Sequence, residues 1–225
     1  MQLNKIYNID CLEGLELIDK DLKICIVTDP PFNIKYKYKN YQDNMKIEAY
    51  YEMLSNVIKD RPSVVIHYPE QLHLLSIKLG IAPSRVVSWV YNSNTGKQHR
   101  DIAFYNIKPD FSKVRQPYKN LNDKRIIERI KNGCKGAKLY DWWNINQVKN
   151  VSKDKTDHPC QMPVKVMENI LNIIDDDYII IDTFMGSGTT AIACINTKHN
   201  FIGFELSEEY CNIANERIRN LYENF

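Results

Sequence analysis

Four consecutive residues, Asp29-Pro30-Pro31-Phe32, combine types whose joint chemistry is the holding of an aromatic amine. Two prolines in series fix φ, remove two N–H donors and leave backbone carbonyls pointing into a crevice. The Asp29 carboxylate and the Pro30 carbonyl then offer two acceptors to one –NH2 group. Phe32 supplies a flat apolar face on which a ring can stack. An aromatic amine lends its nitrogen lone pair to the ring. Acceptors on both its hydrogens tilt it toward tetrahedral geometry and expose that pair to an electrophile, with no covalent enzyme intermediate. The competing explanation is a strand-ending Asp-Pro-Pro turn with a core Phe, and on these four residues alone the two stand level.

A second stretch decides between them. Asp182-Thr183-Phe184-Met185-Gly186-Ser187-Gly188-Thr189-Thr190 follows an apolar run and opens a helical pattern. Glycines there let backbone approach a ligand, and free N–H groups at a helix start favour an anion. A nucleoside triphosphate, a dinucleotide and an amino-acid-bearing nucleoside such as S-adenosylmethionine are the candidate ligands. A P-loop needs Lys before the Ser/Thr, and none is present. The dinucleotide pattern G-x-G-x-x-G ends here in Ala191, an allowed variant, so composition alone leaves that ligand open. Glu205 ends the next strand candidate, where a carboxylate can take both ribose hydroxyls of an adenosine. A lone G-x-G or a lone acidic strand end is commonplace; the two in this order favour an adenosine cofactor. With such a cofactor in the chain, the amine-holding reading of Asp29 prevails.

These residues need strands to carry them. Lys23-Ile24-Cys25-Ile26-Val27-Thr28 and Tyr178-Ile179-Ile180-Ile181-Asp182 are short apolar runs that stop at the two motifs, the pattern of buried parallel strands. Val64–Tyr68, Val86–Val90 and Phe201–Glu205 are further strand candidates. Apolar residues at i, i+3, i+4 predict helices over Cys11–Ile18, Ile47–Ile58, Gln71–Leu79, Val164–Ile174, Gly188–Asn196 and Ser207–Leu221, the last capped by Ser207. Strands alternating with helices imply an α/β fold with a doubly wound, mostly parallel sheet. The rhythm breaks between residues 92 and 157, where turns, the aromatics Tyr140, Trp142 and Trp143 and one helix near Asp123–Asn132 are expected. The expected organisation is therefore a half carrying Asp29 over 1–91, an insertion over 92–157, and a cofactor-binding half of the same domain over 158–225.

At 225 residues the chain fits one core with an elaboration, and 44% hydrophobic with 26% charged residues is ordinary for a soluble protein. Met1–Ile6 is too polar for a signal peptide, and no apolar run is long enough to span a bilayer. The six cysteines are scattered without a C-x-x-C pair, which predicts a reduced, cytoplasmic protein without structural metal. Charge is segregated: Arg85–Lys155 holds sixteen Lys/Arg against six Asp/Glu, although the whole chain is only +2. That excess, in the segment least like regular α/β core, predicts a polyanion partner reached through phosphate neutralisation.

With these residues on the page, the chain resembles the β-group of DNA amino-methyltransferases, the N6-adenine and N4-cytosine enzymes. Asp29-Pro30-Pro31-Phe32 matches their catalytic Asp-Pro-Pro-Tyr-like motif, and Phe184-Met185-Gly186-Ser187-Gly188 their cofactor loop. His158-Pro159-Cys160-Gln161-Met162-Pro163 is similar to the family's His-Pro-Thr-Gln-Lys-Pro, and Asn8-Ile9-Asp10-Cys11-Leu12-Glu13 to its Gly-Asp-Cys-Leu-Glu start. The resemblance covers most of the chain except the middle, where such enzymes carry target recognition. It implies a circularly permuted Rossmann-like sheet and an S-adenosylmethionine cofactor held by Asp10, Asp29, His158, Gln161, Asp182, Phe184, Gly186, Ser187, Gly188, Thr189, Thr190 and Glu205. It implies catalysis by Asp29, Pro30, Pro31 and Phe32 on a base flipped out of double-stranded DNA. Lys35, Lys37, Lys39, Lys97, Arg100, Arg115 and Lys119 are the candidate DNA contacts. Adenine N6 is favoured over cytosine N4 because the motif opens with Asp, where N4 enzymes more often have Ser; cytosine stays open. So small a recognition segment implies a short site or a homodimer, and a restriction endonuclease is a further candidate partner.

Three alternatives were weighed. Relatives that methylate RNA or a protein glutamine amide carry the cofactor loop first, which this order argues against. A non-catalytic DNA-binding relative would not need Asp29, Gly186, Gly188 and Glu205 intact. Pro159-Cys160-Gln161 spells the nucleophile motif of C5-cytosine methyltransferases, with Glu168-Asn169-Ile170 similar to their Glu-Asn-Val, but both precede the loop and fall on or beside one helix. Cys160, Met162 and Thr183 depart from the family's Thr, Lys and Pro, and Phe32 keeps the stacking face of Tyr without its hydroxyl. His158 is expected to pack at a helix entry rather than act as a base, and Lys35–Lys39 to form a mobile loop closing over the target.

Overall fold

The apolar runs that end beside Asp29 and Asp182 lie side by side as parallel strands, β2 (Ile24–Thr28) and β9 (Ile179–Asp182), with Cys25 opposite Ile180. The computed structural model describes residues 1–38, 41–149 and 155–223. The other strands are β1 (Lys5–Asn8), β3 (Ser63–His67), β4 (Arg85–Val90), β5 (His99–Tyr105), β6 (Arg115–Gln116), β7 (Ala137–Lys138), β8 (Trp142–Asn144) and β10 (Phe201–Glu205). Eight of them form one sheet in the order β1-β10-β9-β2-β3-β5-β4-β8, and β6 pairs with β7 in a small ribbon. The five from β1 to β3 are mutually parallel, whereas β5 runs antiparallel to both its neighbours.

Helices α1 (Cys11–Glu16), α2 (Ile47–Ile58), α3 (Pro69–Leu79), α4 (Lys124–Lys131), α5 (Val164–Leu171), α6 (Thr189–Thr197) and α7 (Glu208–Glu223) complete the chain. Alternate strand residues face opposite layers. Cys25, Val27, Val64 and Ile66 pack with α5 and α6, while Ile26, Val65 and Ile181 pack with α1, α2 and α3. Burial on both faces is why these strands read as continuous apolar runs. Asp10 caps α1 by accepting from the Leu12 N–H at 2.8 Å, and Ser207 caps α7 by accepting from the Tyr210 N–H at 3.4 Å. Among the described residues no helix is long and apolar enough to cross a membrane.

Two expectations need correcting. β1 was not anticipated, and the segment 92–157 is not set apart from the sheet: it supplies β5 and β8. Ile102, Ala103, Phe104 and Tyr105 of β5 are wholly buried, and Trp143 of β8 lies against the same core as Trp89. The part outside the large sheet narrows to residues 106–141. The strand went unread because His99, Arg100 and Asp101 at its start are polar, so its apolar pattern is only four residues long.

Candidate active site

Parallel pairing brings the carboxyl ends of β1, β10, β9, β2 and β3 to one edge, and with them Asp10, Glu205, Asp182, Asp29 and His67. The chain leaves β9 toward β10 on one side and β2 toward β3 on the other, so the crevice between β9 and β2 is a topological switch point, the usual ligand position in such sheets. A cavity of about 330 Å3 opens there, with Asp10, Gly186 and Glu205 at one end and Asp29, Phe32 and Arg100 at the other.

At the first end the glycine loop is tied down by its own chain. Asp182 is buried and accepts from the Phe184 N–H at 3.0 Å, the Thr28 hydroxyl at 3.3 Å and the Thr190 hydroxyl. Burial raises its carboxyl to about 6, against the pull of these donors. The Glu205 carboxylate accepts the Gly186 N–H and the Ser207 N–H, each at 2.8 Å, and burial pushes its pKa up while these donors pull it down. Gly186 has φ +52°, and a Cβ there would lie 3.0 Å from His158 Nε2. Glycine therefore serves both the turn and the close approach of the ring. His158 packs edge-on against Tyr210 and is lowered to about 4 by burial and then by the charges of Lys155 and Arg217. Its ring also lines the cavity. Arg217 of α7, which sequence reasoning missed, donates to the Ser187 carbonyl and hydroxyl and to the Thr189 hydroxyl.

At the second end, Phe32 is 8% exposed and stacked on His67 at 4.4 Å between centroids. His67 Nδ1 accepts the Tyr68 N–H at 2.8 Å, so the proton of the neutral ring sits on Nε2, 2.7 Å from the Tyr50 hydroxyl. Tyr50 in turn donates to the Pro31 carbonyl at 2.7 Å. Burial lowers His67 to about 3, which keeps it uncharged in this relay. Neither Tyr50 nor His67 was picked out from sequence; the one signal was that His67 is the next-to-last residue of a strand candidate. Asp29 is raised to about 6 by burial, offset in part by the Arg100 charge. Its Oδ2 lies 3.5 Å from Arg100 Nη1, whose guanidinium lies over the Phe32 ring.

The remaining expected residues divide clearly. Pro30, Pro31, Phe184, Ser187, Thr189 and Thr190 line the cavity. Gln161 and Gly188 do not: Gln161 accepts from the Thr156 N–H and hydroxyl, and Gly188, at φ +79°, packs on Ala214. Arg100, a candidate DNA contact, is turned inward, its side chain 13% exposed. Lys97 pairs with Glu70 and lies over Tyr68, while Lys119 lies over Trp142 and Tyr140. Lys35, Lys37 and Arg115 are exposed; Lys39 lies outside the described residues. The segment after Phe32 is anchored rather than free: the buried Asp43 carboxylate accepts the N–H groups of Asn33, Ile34 and Tyr36, and Tyr36, Tyr38 and Tyr41 line the cavity. Cys160 also lines it, but burial raises its thiol pKa, the reverse of what an activated nucleophile needs.

A doubly wound sheet whose glycine loop comes late in the chain, with the Asp29-Pro30-Pro31-Phe32 motif across the switch point, is the circularly permuted Rossmann-like methyltransferase fold. The sequence profile of the N6/N4 DNA methylases, described as "DNA methylase", matches residues 24–216. The type II methyltransferase M.BglII of Bacillus subtilis is 29% identical over 247 residues, covering 94% of this chain and 68% of its own. The solved M1.HpyAVI–SAM complex superposes with a TM-score of 0.57 at 24% identity, covering 95% of this chain and 98% of that one. The cytosine-N4-specific PvuII DNA methyltransferase gives 0.67 at 18% identity, covering 97% and 90%. This chain belongs to the N6/N4 DNA methylase family and is an S-adenosylmethionine-dependent DNA methyltransferase. The cavity fits that cofactor: one end offers the Asp10 and Glu205 carboxylates and a glycine without a side chain to obstruct approach, and the same cavity continues to Asp29.

Proposed function

We propose that the chain methylates the N6 amine of adenine in duplex DNA, with Asp29, Pro30, Pro31 and Phe32 holding the flipped base. The observation that carries this reading is the continuity of one cavity from Glu205 and Gly186 to Asp29 and Phe32. When bound, S-adenosylmethionine supplies an electrophilic sulfonium methyl. Asp10, Glu205, Phe184 and the backbone of 186–190 would hold it. Asp29 accepts one hydrogen of the amine and the Pro30 carbonyl the other, while Tyr50 and His67 fix the Pro31 peptide and the Phe32 ring. Ionised Asp29 draws the amine toward tetrahedral geometry and attracts the positive charge that grows on nitrogen during attack. Cys160 remains a thiol and takes no part. Adenine is preferred because an Asp opens the motif.

DNA is met by the basic part outside the sheet. Helix α4 has no buried side chain and carries Lys124, Arg125, Arg129 and Lys131, so packing alone gives it little support and phosphate contact gives it a purpose. Lys35, Lys37 and Arg115 are exposed candidates for further contacts, and the likeness to type II methyltransferases supports a place beside a restriction endonuclease. The test is to incubate the protein with S-adenosylmethionine and unmethylated DNA, map modified positions by methylation-sensitive sequencing and identify the nucleoside by mass spectrometry. N6-methyldeoxyadenosine at a defined site is expected. N4-methyldeoxycytidine would overturn adenine and keep the amine clamp, whereas 5-methyldeoxycytidine would overturn the clamp and reinstate Cys160.

A further inference from the structure

The position a target base must occupy already holds a side chain. Arg100 Nη1 lies 3.5 Å from Asp29 Oδ2, and its guanidinium carbon is 4.6 Å from the Phe32 ring centroid. Trp89 lies 5.4 Å away and the Met162 sulfur 3.4 Å from Nη1, and both ionic side chains are largely buried, at 13% and 16% exposure. A guanidinium is a planar, delocalised group whose N–H donors lie in the ring-like plane. It presents to Asp29 and Phe32 what the amine-bearing edge of a base presents. The two groups would compete for the same carboxylate and the same ring face.

We infer that Arg100 is a stand-in for the target amine, occupying the base pocket in the DNA-free enzyme and leaving Asp29 when the base enters. This rests on the reading of Asp29 as the amine acceptor. Two observations distinguish a placeholder from a finished structural ion pair. The contact is single and long, and it leaves a buried polar atom without a partner on each side, Asp29 Oδ1 and Arg100 Nε. A permanent buried pair persists when geometry is good and the remaining donors and acceptors are satisfied. Here they are not. The arrangement nevertheless gives the buried Asp29 carboxylate a counter-charge. The backbone explains how Arg100 arrives: β5 is antiparallel, so its start, rather than its end, lies beside the carboxyl end of β3, with Asp101 opposite His67.

The test uses the full chain and the duplex carrying its mapped site. In wild type, the Arg100 Nε–Hε resonance, assigned by its loss in Arg100→Met, is expected to be displaced by the surrounding rings. It should move toward the position of exposed arginines when duplex and the non-transferring analogue sinefungin are added. A resonance that stays in place would overturn the inference. Independently, millimolar guanidinium chloride is expected to raise the KM for DNA of Arg100→Ala at least threefold without changing that variant's kcat. Wild type and Arg100→Met, whose side chains fill the slot, should show no such rise. Restoration of kcat in Arg100→Ala by guanidinium would mean that arginine works in the reacting complex, and would also overturn the stand-in. An Asp29→Asn protein that keeps wild-type kcat would remove the reading beneath it. An inactive Asp29→Asn with no guanidinium competition in Arg100→Ala would remove the stand-in alone.

Discussion

The two ends of the cavity solve opposite problems. Around the glycine loop, polar groups are spent on one another: Asp182 on Phe184, Thr28 and Thr190, Glu205 on Gly186 and Ser207, Arg217 on Ser187. His158 Nδ1 is the exception there. Around Asp29 the support beneath is equally firm, through Tyr50, His67 and Phe32, but the acceptor Asp29 Oδ1 and the donor Arg100 Nε are left unpaired. One end is a rigid seat completed within the chain, and the other is a rigid frame around unsatisfied groups. A base that must be extruded from a duplex at a cost of a few kcal/mol is repaid in part by a waiting acceptor such as Asp29 Oδ1.

The sharpest way to break this contrast is Asp29→Asn. If the working acceptor is the carboxylate, kcat should fall about 10²- to 10³-fold, the loss typical of one aligned polar group in a transition state. Cofactor binding by calorimetry should change little. The same group sets a pH limb in wild type: the reaction needs Asp29 ionised, its pKa in the folded enzyme is about 6, and kcat/KM should therefore rise with pH through about 6 and level above it. A profile flat down to pH 5 would detach Asp29 from the chemistry.

Glu205→Gln probes the other end. Replacing a charged acceptor with a neutral one should raise the cofactor KM roughly ten- to a hundredfold, the span of about 1.5–3 kcal/mol for hydrogen bonds to charged groups. The KM for DNA should stay near wild type. A matching loss of DNA affinity would show that the two ends are coupled.

Smaller effects test the frame. Tyr50→Phe removes the donor to the Pro31 carbonyl and the partner of His67 Nε2, so stability should drop by about 1–3 kcal/mol in urea titration, with kcat reduced severalfold. Cys160→Ser should change kcat by about twofold or less, since a thiol whose pKa burial has raised supplies no nucleophile. Near-complete loss would restore the cysteine mechanism.

Much of the sheet was legible because buried parallel strands announce themselves as apolar runs with abrupt ends; β2, β3 and β9 are β-branched runs of this kind, and β10 is an aromatic one. β1 was not, since Lys5-Ile6-Tyr7-Asn8 is a half-exposed edge with no long apolar run. β5 was not, since its polar first residues face a crevice rather than a core. The glycine loop was legible for a local reason: strand, turn and helix start follow one another within ten residues or so. The contact of Gln161 with Thr156 was not legible, because sequence proximity to His158 does not fix what a side chain meets.

The sequence by itself determined the cofactor loop, the Asp29 motif and their order, because each is a short contiguous string whose chemistry depends on neighbours along the chain. It also determined that Cys160 belongs to a helix entry before the loop. Only the tertiary structure decided what meets Asp29. Arg100 lies 71 positions away in sequence and reaches the pocket because one strand of the sheet runs backwards, which places a strand's first residues where every parallel neighbour places its last. No local pattern encodes that reversal; it is set by which strands pair.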